Sequence, residues 1–151
     1  SKFAQTLTLA HLVREANRHL ARLAPRYELT PRPDDDALGL WILDADHAGT
    51  PRAVESLSGG ETFLVSLALA LGLSDLAGYR VQIESLFIDE GFGTLDPETL
   101  DTAISALETV QQSGRMVGVI SHVSALKDRI KTQIQLRRVA GGSRLAVVVE
   151  R

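Results

Sequence analysis

Between Ser85 and Arg129 the hydrophobic period of the chain changes three times, and this alternation limits the possible folds more than any other feature. Residues 85–88 (Ser-Leu-Phe-Ile) are a short apolar run, read as a strand covered on both faces as in a parallel sheet. Asp96 and Pro97 then supply an N-cap and a first-turn proline, and Leu100, Ala103, Ile104, Leu107 and Val110 recur at helical spacing until Gly114. Residues 116–120 form a second apolar strand and residues 123–129 a brief helix. Strand, helix, strand, helix in that order predicts an α/β fold with parallel strands and crossover helices.

The flanks are readable by the same logic. Residues 2–23 lack Gly and Pro and place Leu9, Leu12, Val13, Ala16, Leu20 and Leu23 at helical spacing. This predicts a helix of about six turns, stopped by Pro25. Its other face, with Lys2, Arg14, Arg18 and Arg22, would let it continue upstream as part of a longer, partly solvated helix. Residues 27–29 and 38–43 read as strands, separated by Pro31, Pro33 and a solvated acidic turn of Asp34, Asp35 and Asp36. Residues 45–50 read as a second turn. Residues 61–76 are apolar on nearly every side, which predicts a helix buried all round. At the end, residues 133–139 and 145–149 flank Gly141 and Gly142 and predict an antiparallel edge hairpin.

Composition narrows the function classes. With 151 residues, 44% of them hydrophobic, the chain can build the core of one domain or one lobe of a larger one. A net charge of −3 argues against a surface made throughout for a polyanion, so any nucleic-acid contact is local or shared with another segment. The absence of cysteine excludes disulfides and thiolate metal sites and is compatible with a reducing cytoplasm. The longest apolar stretch, residues 63–73, is interrupted by Ser66 and falls short of the roughly 20 residues that cross a bilayer, and no secretory signal is visible. No membrane partner is expected. Ser1 at the start and Met116 as the only methionine are expected of a piece excised from a longer chain.

Two segments carry the chemistry. Leu57, Ser58, Gly59, Gly60 and Glu61 stand directly before the apolar helix. Ser58 and Glu61 have capping-box spacing, but capping does not require two glycines that each cost roughly 1 kcal/mol in a helix. Their bareness exposes N–H groups at the positive helix end, where a phosphate can approach closely. The second segment is Asp89 and Glu90, at the carboxyl end of a predicted parallel strand, where ligands of α/β sheets sit. Asp89 is read as holding Mg²⁺ and Glu90 as the general base for an attacking water. Gly91 and Gly93 allow a tight turn before Asp96, which capping already explains, and His122 follows the next strand at the same end of the sheet. His11, His19 and His47 have no ligand spacing.

Together these residues resemble an ABC ATPase: Leu57-Ser58-Gly59-Gly60-Glu61 is similar to the signature motif and Leu86-Phe87-Ile88-Asp89-Glu90 to Walker B. Residues 91–96 resemble the D-loop, with Gly93 and Asp96 at its functional positions, and His122 resembles the switch histidine. Within that superfamily the resemblance is to the SbcC family of SMC-like DNA-repair ATPases, over about residues 12–139; transporter ATPases usually have proline where Gly91 stands.

The resemblance implies that residues 1–24 are the returning arm of a coiled coil and residues 25–151 the C-terminal lobe of an ATPase head. Ser58, Gly59 and Gly60 would reach ATP held by a second head, while Asp89, Glu90 and His122 would act on ATP and Mg²⁺ in their own. It further implies as partners the N-terminal Walker A lobe, a second head, an SbcD-like nuclease and DNA, in the cytoplasm at the nucleoid. The departure is that no G-x-x-x-x-G-K-[ST] loop occurs, since Lys2, Lys127 and Lys131 lack the required glycines. The chain alone is therefore expected to hydrolyse no ATP. Half-domains of other ABC-type ATPases, transporters included, and a catalytically silent dimerisation or nuclease-docking module remain open. Lys127, Arg129, Lys131, Arg137 and Arg138 are candidate DNA contacts.

Overall fold

The computed structural model describes residues 2–32, 39–77 and 84–149. The expected acidic turn of Asp34, Asp35 and Asp36, and Leu38 at the expected start of the second strand, lie outside the described residues. Helix α1 (Lys2–Leu23) has the predicted bounds and buries Val13, Ala16, Leu20 and Leu23. Strands β1 (Tyr27–Pro31), β2 (Leu40–Asp44) and β3 (Thr50–Ala53) form an antiparallel sheet in that order, pairing Leu29 with Ile42 and Leu43 with Pro51. The third strand was not expected. It is an edge strand, where a missing proline N–H costs no ladder bond. Only Ala45–His47, Ala48 and Gly49 make the turn, the last two in the left-handed region at φ 54° and 68°.

Helix α2 (Gly59–Ala77) packs along α1 and contributes Leu64, Val65, Leu67, Ala68 and Leu71 to a core shared with α1, β1, β2 and α3. The two helices approach closely because Gly72 has no side chain: an added Cβ would lie 2.6 Å from the Ala16 nitrogen. The expectation of burial all round is corrected, since Thr62 and Ser66 are exposed and Leu73 is 52% exposed. Among the described residues, part of the α2 surface is left without cover. By length and apolarity α2 could also cross a membrane, unlike the shorter stretch expected, but its buried residues lie in the core.

Strand β4 (Ser85–Asp89), helix α3 (Pro97–Gln112) and strand β5 (Met116–Ile120) make the predicted unit, with β4 and β5 parallel and Asp89 opposite Ile120. Asp96 caps α3, accepting from the Glu98 and Thr99 N–H groups, and the five expected apolar residues of α3 are buried. Coverage of β4 on both faces is corrected: Phe87 is 69% exposed, and Met116 and Ile120 are exposed beside it. Helix α4 (Ser124–Arg129) is tied to α3 by Arg129, which binds Asp101 and Glu108. Those carboxylates occupy the guanidinium that was a candidate for DNA. Strands β6 (Thr132–Val139) and β7 (Gly142–Val149) form the expected hairpin, with Ile134 opposite Val147 and Leu136 opposite Leu145. All four are exposed.

Candidate functional site

The parallel pairing of β4 with β5 brings their carboxyl ends together, and the next residues of each carry the candidate groups. Asp89 closes β4 and is exposed. Glu90 donates its N–H to the Ile120 carbonyl at 2.9 Å and turns into the left-handed region at φ 61°, followed by Gly91 at φ 96°. A left-handed non-glycine residue is uncommon and costs about 1–2 kcal/mol. This turn sets the Glu90 carboxylate beside the imidazole of His122, with Glu90 Oε2 3.1 Å from His122 Nδ1. Both groups reach solvent, the side chains being 51% and 79% exposed. The His122 ring also lies beside Gly93, whose ideal Cβ position is 3.6 Å from Nε2. Thus His122, distant in sequence, meets Glu90 and Gly93 at the edge where Asp89 ends β4.

The turn after Glu90 is fixed from below. Phe92 is fully buried and meets Phe63 of α2 edge-on at 4.8 Å between ring centroids. A Cβ on Gly91 would lie 2.1 Å from the Phe63 ring, so glycine is required there by space as well as by φ. Thr94 Oγ1 donates to the Gly91 carbonyl at 2.7 Å and closes the loop. Asp96 keeps its capping role, and the Thr99 hydroxyl first, then the Thr99 amide, hold its carboxyl below the usual carboxylate range.

At the start of α2 the capping box is formed as expected: the Ser58 N–H donates to Glu61 Oε2 at 2.8 Å, and the Glu61 N–H points back to Ser58 Oγ at 3.4 Å. Leu57 is half-buried against the core, whereas Ser58 and Gly59 are exposed. The two glycines separate in role. A Cβ on Gly60 would stand 3.0 Å from the Thr94 carbonyl oxygen, so Gly60 lets the α2 terminus rest on the loop that carries Glu90. Gly59 has room for a methyl group, its nearest contact being Thr94 Cγ2 at 3.9 Å. Packing within the chain leaves the bareness of Gly59 unexplained, and among the described residues no hydrogen bond engages the Gly59 or Gly60 N–H. The first amides of a helix have no intrahelical acceptor and suit an anion.

One participant escaped sequence reasoning. Tyr27 of β1 donates its hydroxyl to Glu61 Oε1, across 34 residues of chain. Burial first, and this bond second, push the Tyr27 phenol up to about 12. The Tyr27 hydroxyl, then the Ser58 amide, hold the Glu61 carboxyl below its usual range. No spacing rule links the two residues, so the sequence carried no signal for the pair.

The family model described as SbcC/RAD50-like, Walker B motif, matches residues 32–109. The chain is 55% identical over 142 residues to the SbcC subunit of the SbcCD nuclease of Rhodobacter capsulatus, covering 94% of this chain and 11% of the relative. To its counterpart in Pseudomonas aeruginosa it is 49% identical over 148 residues, covering 97% and 12%. In Staphylococcus aureus the figures are 47% over 137 residues, 85% and 14%. The chain thus spans only 11% to 14% of the length of these relatives. Among solved structures it is similar to an Smc head domain of Pyrococcus furiosus with an extended coiled coil, bound to the C-terminal domain of ScpA. That match has a TM-score of 0.72 and 18% identity over 98% of this chain and 37% of the other. A chain from work on ATP-driven dimerization and DNA-stimulated activation of SMC ATPases gives a TM-score of 0.75 and 18% identity over 98% and 89%. At such identity these likenesses bear on fold alone.

Proposed function

Because the chain belongs to the SbcC/RAD50-like family and folds as the C-terminal lobe of an ABC-type ATPase head, we propose that it supplies half of an ATP-hydrolysing site. The observation that carries this reading is the meeting of Asp89, Glu90 and His122 at the ends of two parallel strands. In this reading Glu90 takes a proton from the attacking water, and His122, in hydrogen-bond reach, orients that carboxylate and faces the γ-phosphate. Asp89 offers one carboxylate, which suits Mg²⁺, an ion usually held by one or two carboxylates with substrate phosphates and water. Held by Asp89, the metal would supply Lewis-acid stabilisation of the charge that develops on the phosphate.

Ser58, Gly59 and Gly60, through the exposed start of α2, would bind the γ-phosphate of ATP in a second head, so that ATP joins a head homodimer. The loop from Gly91 to Asp96 would connect the two sites, since Gly60 rests on Thr94 and His122 on Gly93. Residues 1–24 are the returning coiled-coil arm and residues 25–151 the lobe itself in this proposal. An upstream lobe carries the phosphate loop, an SbcD-like nuclease is the working partner, and the substrate is DNA in the cytoplasm at the nucleoid. The name of the relatives, which makes them one component of the SbcCD nuclease, supports that partnership.

The test is Glu90→Gln in the full-length protein. A glutamine keeps the size of the side chain but cannot take up the proton, so steady-state ATP hydrolysis should fall by roughly 10²–10⁴ while ATP binding persists. Turnover near the wild-type rate would remove the assignment of Glu90 as base.

A further inference from the structure

The start of α2 is gripped from both sides by the antiparallel sheet of β1, β2 and β3. On the upstream side, Arg52 of β3 donates to the Ser56 carbonyl at 3.3 Å, two residues before Ser58, while its other nitrogen binds the buried Asp44 at 2.8 Å. On the downstream side, Tyr27 donates to Glu61 Oε1. Tyr27 is itself held: its ring is buried in the core, and the Arg26 guanidinium, 5.0 Å above the ring centroid, is fastened to the same Asp44 by two hydrogen bonds. Asp44 is thus a common anchor for both grips.

The consequence concerns the Glu61 carboxylate. It sits at the third position of α2, where a negative charge is attracted to the same bare amides that a phosphate would need. One of its oxygens accepts from the Ser58 N–H and the other from the Tyr27 hydroxyl, which together fix the direction of the carboxylate, and among the described residues it makes no bond to the Gly59 or Gly60 N–H. We propose that Tyr27 is a positioning residue for the signature turn: with the Ser58 amide it fixes the direction of Glu61 and keeps the Gly59 and Gly60 N–H groups open to a phosphate delivered by a second head. The inference rests on the reading above that this turn acts across a head dimer.

It is tested by Tyr27→Phe in the full-length protein, on a Glu90→Gln background in which hydrolysis is slowed and joined heads accumulate. Phenylalanine keeps the buried ring and removes only the donor. Joining of heads is read by fluorescence transfer between labelled heads as Mg-ATP is added, and nucleotide binding to separate heads is read with a fluorescent ATP analogue. The expected result is that about tenfold more ATP is needed to join the heads, in keeping with loss of a hydrogen bond to a charged group. Binding to separate heads stays unchanged. On a Glu61→Ala background, where no side-chain acceptor is left for the hydroxyl, the same substitution should add nothing further, because Tyr27 acts only through Glu61. Equal joining by Tyr27→Phe and Tyr27 proteins overturns the inference and leaves the ATPase reading standing, and so does an undiminished effect when Glu61 is already alanine. If heads with Tyr27 intact do not join with ATP at all, the underlying reading fails and takes the inference with it.

Discussion

At the scale of single residues the densest electrostatics lie outside the proposed site, at Asp44. This carboxylate has no exposed surface and accepts from Arg26 at 2.6 and 2.7 Å, Arg52 at 2.8 Å and the Asp46 amide at 3.1 Å, with His47 Nδ1 2.9 Å away. The Arg26 bonds first, and those of Arg52, Asp46 and His47 after them, hold the carboxyl far below the usual range, although burial alone pushes it up. Unfolded, an aspartate titrates near about 3.9. Between that value and the lower folded one, the unfolded chain binds a proton that the folded chain does not, so stability rises with pH there. The contribution of Asp44 is complete above about pH 5 and is lost as the pH falls through the folded-state value. Asp44→Asn should therefore lower the urea midpoint at pH 7, and the two proteins should converge in stability as the pH is taken down toward 3. Parallel stability curves over that range would show that Asp44 is not what the acid limb senses.

At the scale of elements, the crossing of α1 and α2 is set by one missing side chain. A Cβ on Gly72 would stand 2.6 Å from the Ala16 nitrogen, 2.9 Å from its Cα and 3.1 Å from the Glu15 carbonyl carbon, all backbone atoms that cannot rotate aside. Gly72→Val should push the helices apart and cost about 2–3 kcal/mol of unfolding free energy, at the upper end of overpacking effects. A denaturation midpoint equal to that of the wild type would mean that the helices do not cross this tightly. Elements whose cause is local were legible in the sequence. The stripe of α3 and its Asp96 cap are decided by residues three and four apart, and both match. Strand β3 was hidden because Pro51 argues against a strand locally, and only pairing with β2 makes one. The acid pair and His122 were legible because strand ends can be read from the pattern; Tyr27 was not, because nothing local marks its bond to Glu61. The errors about α2 and β4 share another cause. Apolar pattern does not say which surface covers a side chain, and Leu73 and Phe87 find no cover among the described residues.

At the scale of the whole molecule, that uncovered surface is extensive and organised. Phe87, Met116 and Ile120 lie exposed on the β4–β5 pair. Ile134, Leu136, Leu145, Val147 and Val149 lie exposed on the hairpin, in register across its two strands. Contiguous apolar patches of this kind on a folded protein mark interaction surfaces. With no phosphate-cradling loop in the sequence, the proposed reading makes them the seat of the upstream lobe. The chain alone should then hydrolyse no ATP, and Mg-ATP binding should return when a separately produced upstream lobe is mixed with it. The hairpin face can be tested without breaking the hairpin, because Ile134 and Val147 are cross-strand partners. Ile134→Glu with Val147→Lys places opposite charges across that rung, which supports pairing within the hairpin while making its apolar face expensive to bury. Reconstitution, titrated as Mg-ATP binding against added lobe, should require at least about tenfold more lobe, because an ion pair taken out of water regains little of its desolvation cost. If the doubly substituted chain reconstitutes as readily as the wild type, the hairpin faces water in the complete head and the seat of the upstream lobe is confined to the β4–β5 face.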